Sequence, residues 1–468
     1  MPRKSTSALK ADPFTEAYLA GTPDEVPPPR PRRGGPRGAP AGPVALRGCV
    51  LTPDGPVEKG WLLLENGAVT GVRTTKPTGV ATIDTDGVLL PGLIDLHGHP
   101  EFNVFASWEP PRLYRNRYSW RGSDVYHKLV RDPQNALIPV LAAGTQLRYA
   151  EVRALAGGVT AIQGASGTNR ATDESLVRNV DLRIFADHKA RAMIDLPSKT
   201  SRDMQRLDDI LAAIGAGDVT AFYLHLAEGA RDDPRSQKEF TSLVALHGLT
   251  PATVLIHATA LTRDQFGQVA DAGSKLVWSP QSNLRLYAET TRAADALDVG
   301  VPVALGADWL PSGSTSLLAE MKVARAELAA QGLDIEPKAL VEMVTSVAAG
   351  VAGLGDKLGA LAAGRAADVL VLQRLHDDPY ESVCRAMPHD VQLVTIGGDL
   401  AYGREDWVRS LVADPTSDRL EPVIAWGRRM LLDTTFHSGP AAGTPTPTLA
   451  SLRADLTRTY PPVGPVWA

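Results

Sequence analysis

Pro91-Gly92-Leu93-Ile94-Asp95-Leu96-His97-Gly98-His99 is an apolar run that ends in two histidines one residue apart. In a β-strand, residues i and i+2 leave the same face, so His97 and His99 can present two imidazoles to one cation. A hydrolytic metal site would make sense of such a strand end. Two ordinary histidines would be spelled the same way, so residues further along the chain must decide between the readings.

Working outward, the block 92–359 repeats a strand followed by a helix. Strand-like runs occupy 93–97, 159–163, 182–185, 192–196, 221–225, 253–257, 275–278 and 301–305, and helical patterns lie between most of them, as at 204–214 and 315–330. A further helical pattern follows at 337–350. Eight apolar strands in alternation with helices predict an α/β protein with a (β/α)8 TIM-type barrel. Upstream, 44–51, 60–65 and 68–73 read as short strands separated by Pro53-Asp54-Gly55 and Glu65-Asn66-Gly67 turns. Matching runs return at 367–372 and 391–399. The flanks 44–91 and 360–410 are therefore expected to build one small β-sandwich domain around an inserted 92–359 barrel.

Residues 22–43 hold eight prolines and four glycines, with Arg30, Arg32, Arg33 and Arg37 interspersed. Such a segment buries too little apolar surface to offset its ordering entropy, so 1–43 reads as a flexible Pro/Arg-rich arm. Beyond 410 the extension 411–468 is expected to pack on the barrel at 408–413 and 422–432 and to form a loop over 438–447.

The 468 residues are 44% hydrophobic and 22% charged, with a formal net charge of −5, which suits a globular protein and gives no basic excess for nucleic acid. Two cysteines, Cys49 and Cys384, exclude a disulfide scaffold and a cysteine metal cage and fit a reducing cytoplasm. Neither a secretory signal nor a run of about 18 apolar residues is present, so no membrane association is expected.

At the predicted strand ends the polar residues form an ordered series: His97 and His99 after strand one, His225-Leu226-Ala227-Glu228 after strand five, His257 after strand six and Gly306-Ala307-Asp308 after strand eight. The C-terminal strand ends of a barrel share one rim, so these residues are expected to meet. Neutral imidazoles and a carboxylate suit one divalent ion, zinc in the first place or ferrous iron. Such an ion lowers the pKa of bound water from about 15.7 toward 7, supplying hydroxide without a Ser or Cys nucleophile.

The series resembles the amidohydrolase superfamily, in particular its branch of chlorotriazine hydrolases and of cytosine, guanine and adenosylhomocysteine-type deaminases. The resemblance runs over about 44–410 through PGLIDLHGH, HLAEG at 225–229, IHATAL at 256–261, WSPQSNLRLY at 278–287, LGADWLPSGS at 305–314 and GRAADVLVL at 364–372. It implies that His97, His99, His225 and Asp308 ligate one metal, that Glu228 shuttles a proton, and that His257 polarises the substrate while Asp308 also takes a proton from water. No strand-end lysine marks a second metal: strand two ends Ala161-Ile162-Gln163-Gly164 and strand four Asp195-Leu196-Pro197, with Lys189 and Lys199 outside that run.

Substrate contacts are expected from Glu101, Asn103, Trp108 and Arg112 in the loop after His99, from Gln163, from Ser279, Asn283 and Arg285 after strand seven, and from Trp309, Ser312 and Ser314 after strand eight. The loop also carries Tyr114, Arg115, Arg117, Tyr118 and Trp120. Its arginines either clamp a substrate anion or pair with acids of the protein. The leading reading is a hydrolase that deaminates a small aminated heterocycle. Hydrolysis of a cyclic amide or a carbon–halogen bond is the alternative, and a non-catalytic small-molecule-binding barrel a remote one. The resemblance also implies a homo-oligomer.

Overall fold

The computed structural model describes residues 40–141, 144–164, 175–181, 185, 189–197, 201–413, 420–434, 447–464, 466 and 467. The expectations for arm residues 1–39 and loop residues 438–446 lie outside the described residues.

Seventeen strands are described. Upstream of the first histidine come β1 (Val44–Thr52), β2 (Gly55–Glu65), β3 (Ala68–Arg73), β4 (Ala81–Pro91) and β5 (Leu93–Asp95). The central block contributes β6 (Val159–Ile162), β7 (Arg178–Asn179), β8 (Ala190–Met193), β9 (Ala221–Leu226), β10 (Thr253–His257), β11 (Lys275–Trp278) and β12 (Val303–Leu305). The last five are β13 (Val369–Leu372), β14 (Val391–Ile396), β15 (Asp399–Arg404), β16 (Glu421–Ala425) and β17 (Arg428–Leu432).

The central strands form two parallel sheets, β5-β6-β7 and β8 to β12 in chain order. They meet where Leu96 N–H donates to Leu305 O at 3.3 Å and Gly98 bridges Asp308 in parallel. At this seam Gly306 has to lack a side chain, since a Cβ there would stand 2.4 Å from that of His97. Ala221-Phe222-Tyr223-Leu224-His225-Leu226 is buried throughout, as a parallel strand covered on both faces requires. Ile94, Leu96, Ala161, Val180, Tyr223, Val254, Ile256, Val277 and Ala304 cluster on one face. Phe222, Leu224, Leu255, Leu276, Trp278 and Leu305 join the larger core on the other.

The two strands with the plainest difference from the sequence reading are the third and fourth. Pairing falls at Arg178–Asn179, upstream of 182–185, of which only Phe185 is described, and β8 ends at Met193, so Asp195 stands in a turn. Arg178 explains the earlier strand: its guanidinium bonds both carboxylate oxygens of Asp368, at 2.7 and 2.9 Å, tying β7 to the outer sheet. The helical pattern at 337–350 is broken into Pro337–Glu342 and Ser346–Val351.

Outside the parallel sheets lies one nine-stranded mixed sheet, ordered β16-β17-β15-β14-β13-β4-β1-β2-β3. β4 joins its halves, parallel to β1 and antiparallel to β13. The hairpin β16–β17 extends it through pairing with β15, so part of 411–468 is integral to this sheet. Among the described residues no helix is long and apolar enough to cross a membrane.

Candidate metal centre

His97, His99, His225, His257 and Asp308 converge as buried side chains where β5, β9, β10 and β12 end. Donor atoms of His97, His99 and His225 lie within 4.8 Å of one another, as do those of His97, His257 and Asp308. His97 is common to both groups; its ring centroid is 4.8 Å from those of His99 and His225 and 4.9 Å from that of His257. Asp308 Oδ1 stands 3.2 Å from His97 Nε2 and 3.6 Å from His99 Nε2.

Backbone geometry aims these groups. His257 has φ 68° and Asp308 φ 59°, in the left-handed region that side chains rarely occupy. Strand alternation would put His257 on the side of Leu255, against the helices; the left-handed backbone breaks the run, and its ring stands with the other histidines. Asp95 secures the first strand end, its Oδ1 accepting from His97 N–H at 3.2 Å and Ala307 N–H at 3.1 Å.

Electrostatics suit the donors to a cation. Burial drives His99 and His225 well below the usual histidine range and lowers His257 too, so the rings are neutral, the form that ligates metal. Burial resists ionisation of Asp308, but His97 and the neighbouring rings hold it low, as a carboxylate. Neither ring nitrogen of His97 makes a well-formed hydrogen bond, though both are buried. A buried imidazole with no such bond, beside a carboxylate and two more neutral rings, is what a divalent ion would satisfy. Lys189 precedes β8, at the end of the sheet opposite His225.

Glu228 is buried beside this cluster, with Oε2 3.7 Å from His257 Nε2. The Tyr287 hydroxyl donates to its Oε1 at 2.5 Å and accepts from Trp120 Nε1 at 2.9 Å. His257 Nδ1 is 3.0 Å from the Asn283 amide nitrogen. With that amide donating, the neutral ring carries its proton on Nε2, facing Glu228. Trp278 Nε1 donates to Thr290 Oγ1 at 2.8 Å, and Thr290 to Asn283 Oδ1 at 3.4 Å, so the amide has one supported orientation.

The cavity over these groups is lined by His99, Arg117, Trp120, Arg121, Ile194, His225, Glu228, His257, Asp308 and Trp309. Among the residues expected to touch substrate, Trp309 is in that lining. The remaining ones are placed elsewhere in the site's surroundings. Asn103 Oδ1 accepts from Leu310 N–H at 2.7 Å, and Trp108 N–H donates to Pro311 O at 3.0 Å, so both brace the loop after β12. Ser312 Oγ lies 2.8 Å from Ser282 Oγ and accepts from Trp309 Nε1 at 2.5 Å. Gln163 donates to Asp181 at 2.9 Å, Glu101 offers its carbonyl to Gln146, and Arg112 lies over the Tyr114 ring. Asn283 bonds His257 as described, Arg285 bonds Ser107, and Ser279 is fully buried. Ser314 is half-buried.

Arg117 is 1% exposed, and its charge is answered within the protein. Nε donates to Asp195 at 2.9 Å and Nη1 lies 3.2 Å from Glu239 Oε2, while Arg121 takes the other Asp195 oxygen at 3.0 Å. Burial would discharge Arg117, but Glu239 and Asp195 raise its pKa well above the usual value. Glu239 in turn accepts from Ala227 N–H at 2.7 Å, fixing the turn before Glu228. Replacing Arg117 with Met should cost roughly 3 kcal/mol, the low end for breaking a buried ion pair because Asp195 keeps Arg121; urea unfolding measures it.

The residues that sequence reasoning missed are Ile194, Arg121, Tyr287 and Glu239. Tyr287 ends the stretch WSPQSNLRLY and Glu239 sits inside an ordinary helix, Pro234–Ala245, so nothing in their local pattern marks them. Buried Glu320, whose Oε1 accepts from Gln281 N–H at 3.0 Å, is also unmarked. Burial raises its pKa to about 8. Since the folded state holds the proton more tightly, stability falls as pH rises from the ordinary glutamate range toward 8. Glu320→Gln should flatten that slope and raise the melting temperature at neutral pH, read by thermal scans across pH 5–8.

Residues 205–401 match the amidohydrolase family. A 5-methylthioadenosine/S-adenosylhomocysteine deaminase of Teredinibacter turnerae is 26% identical over 67% of this chain and 79% of its own length. One of Desulforudis audaxviator is 28% identical over 83% and 93%. Solved structures share the fold: a zinc-bound adenosine deaminase of Xanthomonas campestris superposes with TM-score 0.65 at 16% identity, over 89% of this chain and 97% of that one. Zinc-bound atrazine chlorohydrolase of Arthrobacter aurescens superposes with TM-score 0.59 at 19% identity, over 76% and 94%.

Proposed function

We propose that this chain is a divalent-metal-dependent hydrolase that removes an amino group from a small aminated heterocycle. The observation that carries the reading is the placement of Glu228 Oε2 3.7 Å from His257 Nε2, above a buried cluster of three imidazoles and a carboxylate. His97, His99, His225 and Asp308 would hold the ion. Zinc leads, with ferrous iron accepting the same donors. When bound, the ion acidifies a water and so provides a nucleophile at neutral pH.

The protein's own groups supply the rest. Glu228 takes a proton from the attacking water and returns it to the ring nitrogen or the departing amine, with Tyr287 donating to Oε1 and leaving Oε2 for that traffic. The Nε2 proton of His257, directed by Asn283, meets negative charge as it develops on the substrate. Asp308 would accept the second water proton and pass it on to the departing amine, which leaves as ammonia, so the carboxylate is regenerated. Trp120 and Trp309, with ring centroids 5.3 Å apart, form an apolar wall suited to a flat ring.

In this reading the two parallel sheets close as an eight-stranded barrel spanning 92–359, and the nine-stranded sheet belongs to a separate domain built from its flanks. A cytoplasmic homo-oligomer acting on small molecules fits the same proposal. Purified, zinc-loaded protein should release ammonia from one or more of 5-methylthioadenosine, S-adenosylhomocysteine, adenosine and guanine. Chloride release from atrazine with no ammonia from any aminated ring would transfer the proposal to carbon–halogen hydrolysis.

A further inference from the structure

The turn Pro100–Val104 begins directly after His99 and carries Phe102, whose ring centroid lies 5.8 Å from that of the cavity residue Trp309. Its geometry bears on both the metal and the pocket. Two of its backbone carbonyls are gripped from outside. Glu101 O accepts from Gln146 Nε2 at 2.6 Å, and Val104 O accepts from Gly464 N–H at 3.2 Å. Gly464 O in turn accepts from the Tyr149 hydroxyl at 2.8 Å. Gln146 and Tyr149 lie one turn apart on the helix Thr145–Ala156. The bonds thus close a ring from Glu101 through Val104, Gly464 and Tyr149 to Gln146.

Described residues on both sides of that contact, Tyr460 and Trp467, are anchored. The preceding helix, Leu449–Thr459, buries Leu452 and Leu456 against the helix Thr145–Ala156. Tyr460 meets the Phe105 ring edge-on at 5.1 Å. Further on, Trp467 stacks on Tyr402 at 6.2 Å and meets Trp426 at 5.5 Å, both in or beside the nine-stranded sheet. Gly464, following the docked helix and Tyr460, is held independently of the turn, so it restrains the turn rather than moving with it.

We propose that residues 460–464, with Trp467, are a positioning element for the ligand turn, holding His99 and Phe102 in register through contacts distant in sequence. The inference rests on the proposed metal centre, and its test separates the two. One variant ends after Thr459; the second, Tyr149→Phe, removes a single hydroxyl and keeps the fold. Hydrogen exchange over residues 100–108 should quicken in both. Release of zinc to a chelator should speed up about 10-fold in the truncated chain, the lower range for loss of outer supports of a metal ligand. Tyr149→Phe should speed it about 5-fold, the worth of one hydrogen bond. KM for the best ammonia-releasing substrate should rise more than kcat falls. Unchanged exchange over 100–108 in both variants overturns the brace whatever the metal does. Quickened exchange in the variants, when the parent chain takes up no zinc, keeps the brace of the turn and overturns the metal centre it was meant to serve.

Discussion

Alanine in place of His97 or Asp308 should leave purified protein with little metal, binding it at least about 100-fold more weakly than the parent chain. His97 belongs to both groups of converging donors, and neither of its nitrogens has a well-formed hydrogen bond to fall back on. Asp308 is the one carboxylate among those donors, and it supplies the negative charge that compensates a dication in a buried site. Metal content by emission spectrometry, beside a circular-dichroism melt, separates ligand loss from unfolding. Full metal occupancy in folded His97→Ala and Asp308→Ala protein would sink the proposed centre.

Glu228→Gln should have the opposite signature. The amide keeps the shape and can still accept from Tyr287, so metal content and folding should match the parent. It cannot carry a proton between water and leaving group, and kcat should fall about 10²- to 10⁴-fold with little change in KM. Tyr287→Phe, which removes only the donor to Oε1, should lose much less, about 10-fold or below. Turnover in Glu228→Gln within a few-fold of the parent would remove Glu228 from the chemistry and favour a site that binds without catalysing.

These two experiments probe residues that the sequence already marks as candidates. Histidines and acids at the ends of apolar runs are legible because strand periodicity is short-range and because few side chains bind cations. Asn283 and Arg117 were harder. Both sit beside groups that suggest contact with substrate, yet Asn283 bonds to His257 and Arg117 to Asp195 and Glu239. A polar side chain's partner depends on which distant segment lies opposite, and local pattern carries no record of that. The strand at Arg178–Asn179 illustrates the same limit, since its position is tied to a residue 190 positions away.

By itself, the amino-acid sequence determined the strand-and-helix alternation, the order of the strand-end histidines and the acid at 228, because hydrophobic periodicity and side-chain chemistry are local properties. Tertiary structure alone decided that the left-handed backbone at His257 turns its ring into the cluster, that Tyr287 and Asn283 orient the groups facing the cavity, and that Arg117 is paired with Asp195 and Glu239 within the protein. It also brought Gly464 to the turn that His99 begins. Those are long-range contacts, selected by how the sheets pack together.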